Sequence, residues 1–226
     1  MPLPADPRRM ALGFAAWQAA LDRAGPEADG ARAWSADPAG RRLLAAIFGN
    51  SPFLSDLAVK EWAFLSRLVA EGPDPLFAEL VETVERRDDL GEDTAALMRR
   101  LRLLKRRTAL LAALADLAGL WSLEEQMAAL SRFAEAALGA ALRHLLRGAA
   151  ERGRLALADP ADPERDSGVF ILGMGKLGGR ELNYSSDIDL ILLYDAARVR
   201  VGARDGVQSF FARLARDLVR LLEERT

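Results

Sequence analysis

Asp187 and Asp189 stand two residues apart at the head of an apolar run, Asp187-Ile-Asp-Leu-Ile-Leu-Leu-Tyr-Asp. On a strand, that spacing turns both carboxylates to one face, about 7 Å apart at their bases. Two carboxylates beyond a glycine-rich turn suit a hard divalent cation such as Mg²⁺, which bridges protein oxygens to substrate phosphates in phosphoryl or nucleotidyl transfer. The turn is Gly173-Met-Gly-Lys-Leu-Gly-Gly. Its glycines (Gly173, Gly175, Gly178, Gly179) let backbone N–H groups come close to a phosphate, and Lys176 and Ser186 are placed to add contacts. A D-x-D pair also occurs as two surface acids at a strand start. Here the pair heads a wholly apolar strand, a costly arrangement unless it is used.

Other chemistries fail on spacing or composition. Gly173, Gly175 and Gly178 fit the G-x-G-x-x-G pattern of a dinucleotide-binding turn, with Asp195 where a ribose-binding acid would stand. That fold needs a crossover helix of several turns, and only Gly178 to Ser186 is available. A Walker loop needs Ser or Thr after its lysine, and Leu177 follows Lys176. With no cysteine and one histidine, His144, the chain offers no thiolate chemistry and no ordinary zinc site. Its 31 basic and 33 acidic residues do not describe a sequence-independent nucleic-acid binder. No apolar run has membrane-spanning length and no secretory leader follows Met1, so a soluble, cytoplasmic protein is expected.

The elements that must position these residues change character near residue 152. Before it, apolar residues recur at helical spacing: Phe14, Trp17 and Leu21; then Leu43, Leu44 and Ile47; then one stripe from Leu54 through Trp62 to Leu65, ended by Gly72-Pro73. Phe77 to Val84 precede a charged turn at 86–89, and two long helices follow from Asp93 and from Ser122, where Glu125 completes a capping box. No repeat of roughly 33–47 residues is visible, so a bundle and not a solenoid is expected. Gly153 to Gly168 reads as a linker. Val169-Phe-Ile-Leu reads as a short buried strand and Asp187–Asp195 as a second. After a turn at 202–206, Phe211, Leu214, Leu218, Leu221 and Leu222 share one face of a last helix. The expected fold class is α+β: a helical region (1–152), a linker (153–168) and an incomplete α/β part (169–226).

The stretch from Gly173 to Leu190, through Arg180, Asn183, Ser185 and Ser186 to Asp187-Ile-Asp, closely resembles the signature of the bifunctional glutamine synthetase adenylyltransferase/adenylyl-removing enzymes. These belong to the DNA polymerase beta-like nucleotidyltransferase superfamily. Asn183 and Ser185 look more like the N-terminal, adenylyl-removing half, and the resemblance extends loosely over residues 45–222. It implies phosphorolysis of adenylyl-tyrosine on glutamine synthetase, with release of ADP, while the other half adds AMP from ATP in the control of nitrogen assimilation. It also implies glutamine synthetase and the PII signalling protein as partners, and no nucleic acid or membrane. By motif match Asp187 and Asp189 would ligate Mg²⁺, and Gly173 to Gly179 with Ser186 would hold phosphates.

The superfamily uses a third carboxylate on a later strand, and this sequence has no counterpart to the segment that carries it. Asp195 shares the strand face but lies about 20 Å beyond Asp189, while Asp205 and Asp217 fall in a turn and a helix. The chain is therefore expected to be a truncated piece, inactive by itself. The alternatives are another protein- or nucleotide-modifying nucleotidyltransferase, and a non-catalytic remnant acting as a binding module. Elsewhere, the basic cluster Arg99 to Arg107 is expected to be a solvated helix face, with a grip on phosphate or an acidic partner as the other reading. Trp34 is expected in a loop, and His144 without a catalytic role.

Overall fold

The computed structural model describes residues 1–86, 92–202 and 206–223. Most of the charged turn expected at 86–89, and Asp205 with its two predecessors, lie outside them. The fold is α+β: among the described residues, eight α-helices and one short 3-10 helix precede an antiparallel hairpin, and a short helix and a long one follow its first and second strands. It divides into two compact units, Met1–Leu80 with Arg106–Gln126, and Val81–Lys105 with Met127–Thr226. This division cuts across the partition by composition, because the long helices contribute residues to both units. Among the described residues, no helix is long and apolar enough to cross a membrane.

The first unit begins with α1 (Pro7–Ala24), where the Asp6 carboxylate accepts from the N–H groups of Arg8 and Arg9 and Pro7 fixes the first turn. It packs on α3 (Pro38–Asn50) so closely that a Cβ at Gly13 would collide with the Phe48 ring. Between them Trp34 is not in a loop. It lies in α2 (Asp29–Ala36), set edge-on to Trp17 at 5.4 Å, with its indole N–H donating to Ser66 Oγ. A run with little apolar periodicity concealed this helix. The stripe from Leu54 to Leu65 is likewise two helices, α4 (Pro52–Lys60) and α5 (Trp62–Glu71). They break at Glu61, which is 6 % exposed and accepts from Arg106 at 3.2 Å and Arg107 at 2.9 Å. Ser122 and Glu125 form the expected capping box, each side chain accepting from the other's backbone N–H.

The second unit takes the end of α6 (Pro73–Glu85), the start of α7 (Thr94–Leu117) and most of α8 (Leu123–Glu151). The basic cluster meets the expected solvated face only in part: Arg99, Lys105 and Arg106 are exposed, whereas others are engaged. Arg100 grips Glu92 and the Thr83 carbonyl, and Arg102 donates to the Leu221 carbonyl. Strand β1 (Val169–Gly173) runs antiparallel to β2 (Leu190–Tyr194), with Val169 opposite Tyr194 and Gly173 opposite Leu190. Residues 153–168 are folded onto the same unit: Leu155 is buried and bridges Val201.

The hairpin packs one face against α8 and the last helix, α10 (Val207–Glu223), through Val169, Ile171, Leu192 and Tyr194. Tyr194 stacks on Phe211 with ring centres 4.3 Å apart. The other face is open, with Phe170, Leu172, Ile191 and Leu193 between 37 % and 49 % exposed. The strands are thus half-buried, which corrects the expectation of buried ones. Continuous apolarity cannot say how many sides of a sheet are covered.

Candidate active site

The expected second strand begins three residues later than the sequence suggested, at Leu190, and leaves Asp187 to Asp189 just outside the ladder. One more backbone bond, from Met174 N–H to the Asp189 carbonyl at 2.8 Å, ties Asp189 to the end of β1. Burial keeps alternating through this stretch: Asp187 and Asp189 are exposed, and Ile188 between them is half-buried. The period of two places both carboxylates on the open face of the hairpin, in line with Ile191 and Leu193.

The turn that returns the chain after β1 is α9 (Gly175–Gly178). Gly175 has φ +51°, a left-handed conformation that suits glycine, and a Cβ there would stand 3.4 Å from Asp189 Oδ2. The Asp189 carboxylate therefore lies against the start of the turn. Gly178 passes so close to the Gly173 carbonyl that a Cβ would stand only 2.5 Å from its oxygen. The N–H groups of Gly178 and Gly179 are engaged inside the turn, on the carbonyls of Met174 and Gly175.

Lys176 and Ser186 are brought together, with Lys176 Nζ donating to Ser186 Oγ at 3.5 Å. Asn183 holds that hydroxyl: its Oδ1 accepts from Ser186 Oγ at 2.8 Å and from Ser185, and its N–H donates to Ser186 Oγ. The predicted residues thus form one cluster, a carboxylate pair beside a glycine turn with a lysine–serine contact. Two exposed carboxylates on one face fit Mg²⁺, which keeps several waters and takes one or two protein carboxylates plus substrate phosphates. Among the described residues, no third Asp, Glu or His joins them in a metal-holding group.

Sequence reasoning missed what holds the turn from behind. Ser131 and Glu135, one turn apart on α8, face the segment 180–182. Buried Ser131 accepts from Leu182 N–H at 3.4 Å, and the Glu135 carboxylate takes two contacts of 3.3 Å from the Arg180 guanidinium. The only hint in the sequence is a serine and a glutamate four apart in an alanine-rich helix.

Arg180 itself has φ 57°. Its N–H donates to the Leu177 carbonyl, and the Glu181 N–H donates to the Lys176 carbonyl at 2.7 Å. This pair of bonds is a Schellman cap, with arginine where glycine is usual. A side chain in that conformation costs about 1 kcal/mol. The ion pair, with Arg180 68 % and Glu135 36 % exposed, returns at most about 1 kcal/mol.

His144 is half-buried on α8, 2.9 Å from Thr94 Oγ1, and burial holds its pKa below the usual imidazole value. It belongs to no metal-holding group among the described residues.

Residues 41–226 match the family model of glutamate-ammonia ligase adenylyltransferase. A bifunctional glutamine synthetase adenylyltransferase/adenylyl-removing enzyme of Bradyrhizobium sp. (strain ORS 278) is 45 % identical over 186 residues, covering 82 % of this chain and 19 % of that protein. The enzyme of the same name from Rhizobium meliloti (strain 1021) is 46 % identical over 189 residues, with 81 % and 19 % covered. The one from Bartonella quintana (strain Toulouse) is 40 % identical over 187 residues. The chain spans about a fifth of the length of these curated relatives. Over the matched residues, which include the whole carboxylate and glycine cluster, this chain belongs to the glutamate-ammonia ligase adenylyltransferase family.

Proposed function

We propose that the cluster is the metal- and phosphate-holding part of an adenylyl-removing site acting on glutamine synthetase. The observation that carries this reading is the Asp187–Asp189 pair on one open face, with the Asp189 carboxylate against Gly175. The relatives' shared name supplies the substrate protein. In this reading Asp187 and Asp189 ligate Mg²⁺, which would offset the charge of the phosphoryl oxygens during transfer. Gly173 to Gly179 carry the chain close around the phosphates, Lys176 places its ammonium beside them, and Asn183 fixes Ser186 and through it Lys176. An oxygen of inorganic phosphate attacks the adenylyl phosphorus, the bond to the tyrosine oxygen breaks, and ADP and tyrosine result.

In the longer protein of this family, the same reading assigns adenylylation from ATP to a second site, PII as the signalling partner, and the cytoplasm as the location. No nucleic acid or membrane takes part. The 226-residue chain alone turns over nothing, a proposal supported by the lack of a third ligand among the described residues. The test is Asp187→Asn in a full-length protein carrying this sequence, supplied with adenylylated glutamine synthetase and phosphate. ADP release should disappear while the circular dichroism spectrum stays the same. Undiminished release would contradict the assignment.

A further inference from the structure

We infer that Glu135 and Arg180 form a latch that positions the glycine turn for its ligand, an inference that rests on the site reading above. Arg180 occupies the left-handed position of the Schellman cap that ends α9, where glycine would fit without strain. Its ion pair with Glu135 is largely exposed and does not outweigh that strain. Stability therefore gives no reason for arginine here, and a strained position with a specific contact points to a task. What the side chain does is join the outgoing end of the turn to α8, beside the second tie from Leu182 N–H to Ser131 Oγ.

The effect of these two ties is geometric. The turn is anchored at its start by the Met174 bond to Asp189 and by the approach of Gly175 to the Asp189 carboxylate. Without a hold on residues 180–182, the outgoing end of the turn and the Asn183–Ser186 contacts that meet the Lys176 side chain are free to shift relative to the carboxylates. Ser131 and Glu135 lie 45 to 51 residues from their partners in sequence, on a rigid helix that carries none of the phosphate-facing groups. Glu135, Ser131 and Arg180 are thus positioning residues.

The experiment uses Arg180→Gly and Glu135→Gln in this chain, with three readouts: thermal melting, amide hydrogen exchange of residues 178–182, and binding of Mn²⁺ and of Mn·ADP. Arg180→Gly should melt at the same temperature or higher, because strain is relieved, yet exchange faster through the turn. Both variants should bind Mn·ADP roughly tenfold more weakly, with affinity for Mn²⁺ alone unchanged. The double reversal Glu135→Arg with Arg180→Glu should recover most of the loss. Unchanged exchange, or faster exchange with unchanged Mn·ADP affinity, would overturn the latch. So would weaker binding in Arg180→Gly alone with none in Glu135→Gln, since that pattern marks Arg180 as touching the ligand directly. A wild-type chain that binds no Mn·ADP would overturn the site reading and the latch with it, and is recognisable because the wild type itself fails.

Discussion

The Asp189 carboxylate lies against Gly175, whose missing Cβ would stand 3.4 Å from Oδ2 and whose φ is +51°. Carboxylate and turn therefore constrain each other. Gly175→Ala should cost about 1 kcal/mol of stability from the backbone alone, and should also weaken divalent-cation binding by crowding Asp189. Denaturant melts and Mn²⁺ titration of the variant measure the two effects separately.

Glu61 is buried where α4 and α5 break, and its partners Arg106 and Arg107 keep 47 % and 34 % of their side-chain surface. Removing the glutamate leaves two arginines that water can reach. Removing the arginines leaves a charge that water cannot. Glu61→Gln should thus cost about 1 kcal/mol, and the double variant Arg106→Ala with Arg107→Ala about 3 kcal/mol. Urea unfolding of the two proteins tests the asymmetry.

Neighbouring leucines of β2 face opposite ways, Leu192 into the core and Leu193 outward at 37 % exposure. Leu192→Ala should destabilise by about 2 kcal/mol, whereas Leu193→Ser should change stability by less than about 0.5 kcal/mol and reduce binding of a hydrophobic dye. The reverse order would mean that the register of the hairpin is shifted by one residue.

His144 has its pKa lowered from 6.5, first by burial, with nearby Arg147 and Arg152 in the same direction and Glu92 and Glu151 opposing. The unfolded chain then binds a proton at a pH where the folded one does not. Stability from this group is fully present above about 6.5 and falls as pH drops toward the depressed folded value. His144→Gln should flatten the pH dependence of the melting temperature between about 5.5 and 7, a range that lies above carboxylate titration.

Much of this was legible in the sequence because it depends on local chemistry. Helix stripes, the Ser122–Glu125 capping box, the glycine turn and the i, i+2 carboxylates each follow from spacing. What stayed hidden depends on partners distant in the chain. Glu61 sits on what looks like one continuous stripe, and only its buried pairing with Arg106 and Arg107 accompanies the break. Arg100 and Arg102 look solvated until Glu92 and the Thr83 and Leu221 carbonyls are brought to them. Ser131 and Glu135 have no signature of their own. The strand faces could not be assigned either, since Val169-Phe-Ile-Leu is apolar on the covered and the open side alike.

The most direct test of the carboxylate assignment is Mn²⁺ binding by the 226-residue chain, followed by electron paramagnetic resonance with Asp187→Asn and Asp189→Asn as controls. That assignment predicts one bound ion per chain, with affinity lowered about tenfold or more by either substitution and with both variants folded as the wild type is. Equal Mn²⁺ binding by wild type and both variants would contradict it, and would leave Asp187 and Asp189 as two surface acids at the head of a strand.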